Sequence, residues 1–224
     1  MTKPLAIAID GPAGAGKSTI ARILAKELAF IYVDTGALYR TVGYCALTAG
    51  ADPSRAEQVA PLLKDLQLEL RYVDGVQRVF ANGEDVSERI RTPEVSMAAS
   101  AVSALPEVRA FLLQLQRDTA VSQNVIMDGR DIGTVVLPKA GLKVFLTASP
   151  EDRATRRYME LKEKGVATTF EEVLADMIKR DYDDSHREAA PLKPADDAIL
   201  VDTTGNTLEQ SVEVLKKLAL EAIG

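Results

Sequence analysis

Residues 5–28 read LAIAIDGPAGAGKSTIARILAKEL. Leu5 to Asp10 is a continuous apolar run ending in an acid, the pattern of a strand covered on both faces in a parallel sheet. From Ser18 onward, Ile20, Ile23, Leu24 and Leu28 recur at helical spacing. Between the two, Gly11-Pro12-Ala13-Gly14-Ala15-Gly16-Lys17-Ser18 satisfies G-x-x-x-x-G-K-[ST] in full, in the strand-then-helix context that this phosphate loop requires. The glycines let backbone N–H groups wrap phosphate oxygens, and the helix N-terminus adds partial positive charge. Lys17 can then reach the β- and γ-phosphates, the Ser18 hydroxyl can sit on Mg²⁺, and Thr19 closes the nucleotide-binding stretch. An ordinary glycine-rich turn would need neither flanking element.

Outward from this loop, further short apolar runs lie at Phe30–Asp34, Val125–Asp128, Leu142–Thr147 and Ile199–Asp202, with helical patterns between them. This alternation predicts a doubly wound α/β core with a five-stranded parallel sheet. Leu66, Leu68, Leu70 and Tyr72 break the pattern by alternating with polar residues. Asp74-Gly75 and Asn82-Gly83 offer tight turns around Val76–Ala81, so a small antiparallel meander over about 66–86 is expected. Thr92-Pro93-Glu94 supplies a cap, an N1 proline and a first-turn acid for a helix. Thr207 with Gln210 forms a capping box for the last one.

Bulk composition narrows the partners. The 224 residues are 46% hydrophobic, enough for a substantial core, and carry a net charge of −6. An acidic chain argues against nucleic acid as a partner and requires local cations at any phosphate site. One cysteine, Cys45, excludes an intramolecular disulfide, and with a single histidine, His186, it argues against a Cys/His zinc site. The segment before Asp10 is too short for a signal sequence, and no apolar run approaches the roughly 20 residues of a membrane span. A cytoplasmic protein is expected. No exposed heptad argues for an obligate dimer, so a monomer is expected.

A phosphate loop does not name the acceptor of the phosphate. Asp34-Thr35-Gly36-Ala37-Leu38-Tyr39-Arg40 follows the second strand, at the carboxyl end where ligands of open α/β sheets sit. Arg40 suits a bidentate grip on a second phosphate, or is a solvated charge. Asp128-Gly129-Arg130-Asp131 follows another strand. Asp128 suits orientation of Mg²⁺ through water, and Arg130 either contacts phosphate or forms a local ion pair. Ser149-Pro150-Glu151-Asp152 caps a helix carrying Arg153, Arg156 and Arg157 at i, i+3 and i+4. These read as lid arginines closing on the transferring phosphoryl group, or as a surface helix paired with Glu160 and Glu163. Thr169 with Glu172 caps the next helix, on which Arg180, Asp184 and Arg187 share a face. That set suits a ribose and a phosphate, and equally a structural ion-pair cluster.

With these residues in place, the chain closely resembles the bacterial cytidylate kinases over nearly its whole length. The resemblance rests on IDGPAGAGKST at 9–19, DTGALYR at 34–40, GEDVSERIRTPEVS at 83–96, DGRDIGTVV at 128–136 and RDYDDSHREAAPLKPADDA at 180–198. It implies an α/β P-loop kinase core over 1–61 and 101–224, a short helical lid at about 150–168, and an inserted monophosphate-binding region over 62–100 containing the small antiparallel sheet. It further implies that Ser100, Arg109 and Asp131 read cytosine, that Arg40, Arg130 and Arg187 hold the CMP phosphate with Thr35 nearby, and that Arg180 and Asp184 contact the sugar. Arg156 and Arg157 fall in the lid arginine run. Thr35 stands where serine is common, with the hydroxyl retained.

The base chemistry agrees. Cytosine presents an N4 amino donor and O2 and N3 acceptors, which a carboxylate and a guanidinium complement. Uracil inverts position 4 and N3, so each protein group would face a like partner. The expected reaction is transfer of the γ-phosphate of Mg·ATP to CMP or dCMP, with Lys17, Arg130 and Arg157 as the catalytic charges. Rival readings are another P-loop kinase acting on UMP, AMP or a metabolite hydroxyl, and a nucleotide-dependent switch such as a GTPase. The second lacks an N-K-x-D guanine reader, and Asp202-Thr203-Thr204-Gly205 lies too near the C-terminus to serve it.

Overall fold

The computed structural model describes residues 4–73, 75–121 and 123–224. The chain divides into two compact units, Met1–Tyr32 with Gln123–Gly224, and Val33–Ser122.

The first unit carries the parallel sheet. Its strands are β1 (Ala6–Asp10), β6 (Val125–Gly129), β7 (Leu142–Thr147) and β8 (Ile199–Asp202), with β2 (Ile31–Asp34) at the point where the chain passes to the other unit. The order is β2-β6-β1-β7-β8. β1 runs parallel to both β6 and β7, and β7 runs parallel to β8. The central strand is buried over Ile7–Asp10, as its apolar run requires. Helices α1 (Lys17–Leu28) and α8 (Leu208–Ile223) close a core of Ile7, Ile9, Ile20, Leu24, Ile126 and Leu146 with Leu215. β2 and β8 are the edge strands, and on β8 Ile199 and Leu200 are exposed. An apolar run alone does not separate a central strand from an edge strand.

Two further helices of this unit, α6 (Pro150–Glu163) and α7 (Phe170–His186), pack through Ala154, Val173 and Met177, with Tyr158 edge-on to Phe170. Their starts are capped as expected. Ser149 accepts from the Asp152 amide, and Thr169 and Glu172 form a complete capping box, as do Thr207 and Gln210. Buried Lys143 on β7 donates to Pro138 O and to both oxygens of Asp197, pinning the segment before β8.

The second unit holds α2 (Thr35–Thr48), α3 (Ala56–Leu63), α4 (Pro93–Ser103), α5 (Pro106–Thr119) and the antiparallel sheet β3 (Leu68–Val73), β4 (Val76–Ala81), β5 (Glu84–Asp85). Asn82 and Gly83 turn β4 into β5 with φ of 50° and 83°, the left-handed pair that an Asn-Gly hairpin needs. Asp74 of the other expected turn lies outside the described residues. Leu38, Val42, Val59, Val79, Ile90, Val102 and Leu112 form an apolar core. Among the described residues, no single helix is long and apolar enough to cross a membrane.

Candidate active site

The loop between β1 and α1 is held open by geometry that only glycine tolerates at two points. A Cβ at Gly11, whose φ is +146°, would overlap Leu146 O. Gly14, at φ +72°, lies where a Cβ would meet Met177 Cε at 2.8 Å. Pro12 and Ala15 are buried, Ala13 and Gly16 partly so, and Thr19 is exposed at the start of α1. Gly16 precedes α1 and supplies no side-chain cap, which leaves the first amides of the helix to a ligand.

Lys17 is buried and its Nζ donates to Pro12 O at 2.6 Å. Burial first, then the nearby Arg130 charge, lowers its pKa to about 7, against the pull of Asp128, Asp10 and Asp184. Ser18 Oγ donates to Asp128 Oδ2 at 2.8 Å, and Tyr32 OH donates to Asp128 Oδ1 at 2.8 Å. Asp128 thus stands beside the loop, as its place at the end of β6 predicts. A hydroxyl and a carboxylate are the hard oxygen donors that Mg²⁺ takes alongside phosphates and waters. No cluster of three or more acidic, histidine or cysteine ligands occurs among the described residues.

Beyond β6, four charged groups meet. Arg130 Nε donates to Asp184 Oδ2 at 2.8 Å. Arg187 lies 3.9 Å from Asp184 and 3.7 Å from Asp131, and its Nε donates to Ala190 O. The Asp131, Asp184 and Arg187 side chains are 5–6% exposed and that of Arg130 is 20% exposed, which marks a desolvated cluster rather than a surface network. Burial works to raise the Asp184 pKa, but Arg130, then Arg180 and Arg187, outweigh it and hold the carboxyl below its ordinary value. Burial likewise works to lower Arg130, and Asp184, Asp128 and Asp181 outweigh it. The structure therefore brings Arg130, Asp131, Asp184 and Arg187 together as ion pairs, with the Arg180 charge close enough to act on Asp184.

The lid arginines diverge. Arg153 starts on the same face of α6 as Arg156 and Arg157 but turns inward: it is buried, and its guanidinium donates to Ala13 O of the phosphate loop, to Ala148 O and to Asp181 Oδ2 at 2.6 Å. Helical spacing sets only where a side chain starts, and this one is drawn inward by two carbonyls and a carboxylate. Arg156 donates to Asp152 and to Thr203 O. Arg157 pairs with Glu160 at 2.8 Å on the half-exposed side of α6.

In the unit Val33–Ser122, Asp34 caps α2 by accepting from the Ala37 amide, and its other oxygen accepts from Arg40 Nη2 at 2.8 Å. Gln77 on β4 brackets the Asp34 backbone, accepting from its N–H and donating to its C=O. Arg40 Nε is buried without a hydrogen-bond partner, which suits an anion acceptor. Thr35 is buried in the first turn of α2. Arg109 donates to Ser103 O and its guanidinium lies 5.8 Å from the Tyr39 ring centre, while Ser103 Oγ donates to Ser100 O. Ser100 and Arg109 thus gather around Ser103.

Sequence reasoning missed Asp10, Tyr32, Gln77 and the inward turn of Arg153. Asp10 alone left a signal: it is an acid closing a fully apolar strand. Its carboxylate accepts from the Ile132 and Gly133 amides, both at 2.7 Å.

Among known proteins, the profile of the family described as cytidylate kinase matches residues 7–221. A protein named cytidylate kinase from Carboxydothermus hydrogenoformans is 52% identical over 97% of this chain and 96% of its own. One of the same name from Caldicellulosiruptor saccharolyticus is 48% identical over 99% and 98%. A solved structure of an uncharacterized protein from Eubacterium ventriosum, 11% identical, covers 96% of this chain and 97% of its own with a TM-score of 0.51, a likeness of fold alone.

Proposed function

The chain belongs to the cytidylate kinase family, and from that premise we propose that it transfers the γ-phosphate of ATP to CMP or dCMP, giving ADP and CDP or dCDP. The observation that carries this reading within the molecule is the buried cluster of Arg130, Asp131, Asp184 and Arg187 in the same unit as the phosphate loop. Buried charges of this density suit an anionic, polar ligand better than they suit stability.

A phosphate oxygen of CMP attacks the γ-phosphorus, and the bond from that phosphorus to the bridging oxygen of the β-phosphate breaks, with ADP leaving. No covalent protein intermediate is needed, so the chain contributes position and charge. Gly11 to Thr19 bind the ATP phosphates through backbone amides and Lys17. Ser18, with Asp128 acting through water, would hold Mg²⁺, which neutralises charge on the β- and γ-phosphates when bound. By the family resemblance, Arg40, Arg130 and Arg187 are assigned to the acceptor phosphate, which the Thr35 hydroxyl also serves, and Arg180 and Asp184 to the sugar. Arg156 and Arg157 cover the transferring group. Each would exchange its present carboxylate or carbonyl partner for a phosphate oxygen, the bidentate partner a guanidinium fits best. Ser100, Arg109 and Asp131 read the base, with Asp131 accepting from cytosine N4. The inserted region over 62–100 serves the monophosphate. The protein acts as a cytoplasmic monomer on free nucleotides.

The test is a panel of CMP, dCMP, UMP and AMP assayed with Mg·ATP. Preference for the two cytidine acceptors is expected. Equal or better turnover of UMP or AMP would assign the chain to a different acceptor.

A further inference from the structure

The segment that carries Asp131 is neither strand nor regular helix. Asp131 has φ −145° and ψ 27° and stands before a π-helical turn over Ile132–Val136. Such turns are rare and recur at functional sites. The Asp131–Ile132 peptide is gripped at both ends. Its carbonyl accepts from the Val135 and Val136 amides at 2.9 and 3.2 Å. Its N–H, the Ile132 amide, donates to Asp10 Oδ1, and the next amide, Gly133, donates to Asp10 Oδ2.

We propose that Asp10 is a specificity-determining positioning residue: by holding the Ile132 and Gly133 amides on its two carboxylate oxygens, it sets the direction in which Asp131 presents its own carboxylate to the base. The proposal rests on the reading that Asp131 accepts from cytosine N4. Only an acceptor-only group with two oxygens can take both amides at once. Asparagine would turn its NH₂ toward one of them, donor to donor. The pair is buried, so a lost acceptor is not replaced by water. Gly133 is part of the device. A Cβ there would stand 3.3 Å from Asp10 Oδ2 and 3.1 Å from Lys143 Cδ, so glycine lets the carboxylate approach. Asp10 is no ordinary strand terminus either: burial pushes its carboxyl up to about 6, so the group is held at a cost to the fold. A residue reading a base edge must hold direction to within a fraction of an ångström, and a rigid supporting shell supplies that.

The experiment measures kcat/KM for CMP and for UMP with wild type, Asp10→Asn, Asp131→Asn and the double variant. Asp10→Asn is expected to narrow the CMP/UMP ratio by about tenfold, the worth of one misdirected base contact. The double variant is expected to narrow it no further than Asp131→Asn alone, since Asp10 acts through Asp131. A purely structural role would lower both substrates equally. If Asp131→Asn changes the ratio and Asp10→Asn does not, the positioning role is wrong and the base reading stands. If Asp131→Asn leaves the ratio unchanged, the base reading is wrong and the positioning role falls with it. Should Asp10→Asn not fold, Gly133→Ala crowds the same carboxylate from the other side and has to narrow the ratio; an unchanged ratio in that variant overturns the proposal.

Discussion

At the scale of a residue, Asp10 also makes a claim about pH. An ordinary aspartate ionises near 3.8, while in the fold burial carries the carboxyl to about 6, against the lowering effect of the Gly133 and Ile132 amides. Among the charges that face it, Asp131 adds to the rise and Lys17 opposes it. Between these two values the folded chain holds a proton that the unfolded chain has lost. The stability linked to this group is therefore complete below about pH 3.8 and is lost as pH rises through about 6. The slope is about 1.4 kcal/mol per pH unit across that window. Urea unfolding of wild type and Asp10→Asn at steps from pH 4 to 7 checks it. The free-energy difference should shift in favour of the variant as pH rises, and a difference constant with pH would show that the carboxyl titrates normally.

At the scale of an element, α6 carries two arginines that test opposite properties. Arg153 is buried in bonds to Ala13 O, Ala148 O and Asp181, and it ties the phosphate loop to α6 and α7. Breaking a buried pair from one side typically costs about 3 kcal/mol or more. Arg153→Ala should therefore lower the unfolding midpoint, and Arg153→Lys should not restore it, because an ammonium cannot span three acceptors in one plane. Arg157 pairs with Glu160 near the surface, where such pairs contribute about 0.5 kcal/mol or less. Arg157→Ala should leave stability unchanged and lower kcat more than it raises KM for CMP, as expected of a group acting on the transition state. A change confined to KM would move Arg157 to the acceptor site. The contrast also shows what the sequence made legible. Strand runs, the meander, the capping residues at Thr92, Ser149, Thr169 and Thr207, and the phosphate loop all rest on local chemistry that spacing reveals. The grip of Asp10 on a turn 122 residues away, the fold of Arg153 under the loop and the Gln77 bracket on Asp34 depend on tertiary neighbours, which spacing does not reveal. Their residue types were in view; their partners were not.

At the scale of the molecule, charge is buried unevenly. Asp10, Lys17, Asp128, Asp131, Lys143, Arg153 and Asp184 are the buried charged residues among the described residues, and the Arg187 side chain is 6% exposed. All eight belong to the unit Met1–Tyr32 with Gln123–Gly224. The buried polar groups of Val33–Ser122 are uncharged: Thr35, Thr41, Ser87, Ser103 and Gln116. Burying charge weakens a fold unless every partner is ideal, so a unit that concentrates it is arranged for something other than stability. Lys17 is the clearest case. Burial, then the nearby Arg130 charge, lowers its pKa, so its charge is held at a cost that an anionic phosphate would offset. Lys17→Met keeps the length of the side chain and removes the charge. It is expected to leave the unfolding free energy unchanged or raised, while kcat falls by about 100- to 1000-fold, the usual loss for one electrostatic contact to the transition state. Chemical denaturation and steady-state turnover on the same preparation decide between the outcomes. A loss of stability that parallels the loss of turnover would make Lys17 a structural residue, and near-normal turnover in a folded variant would remove it from the catalytic set.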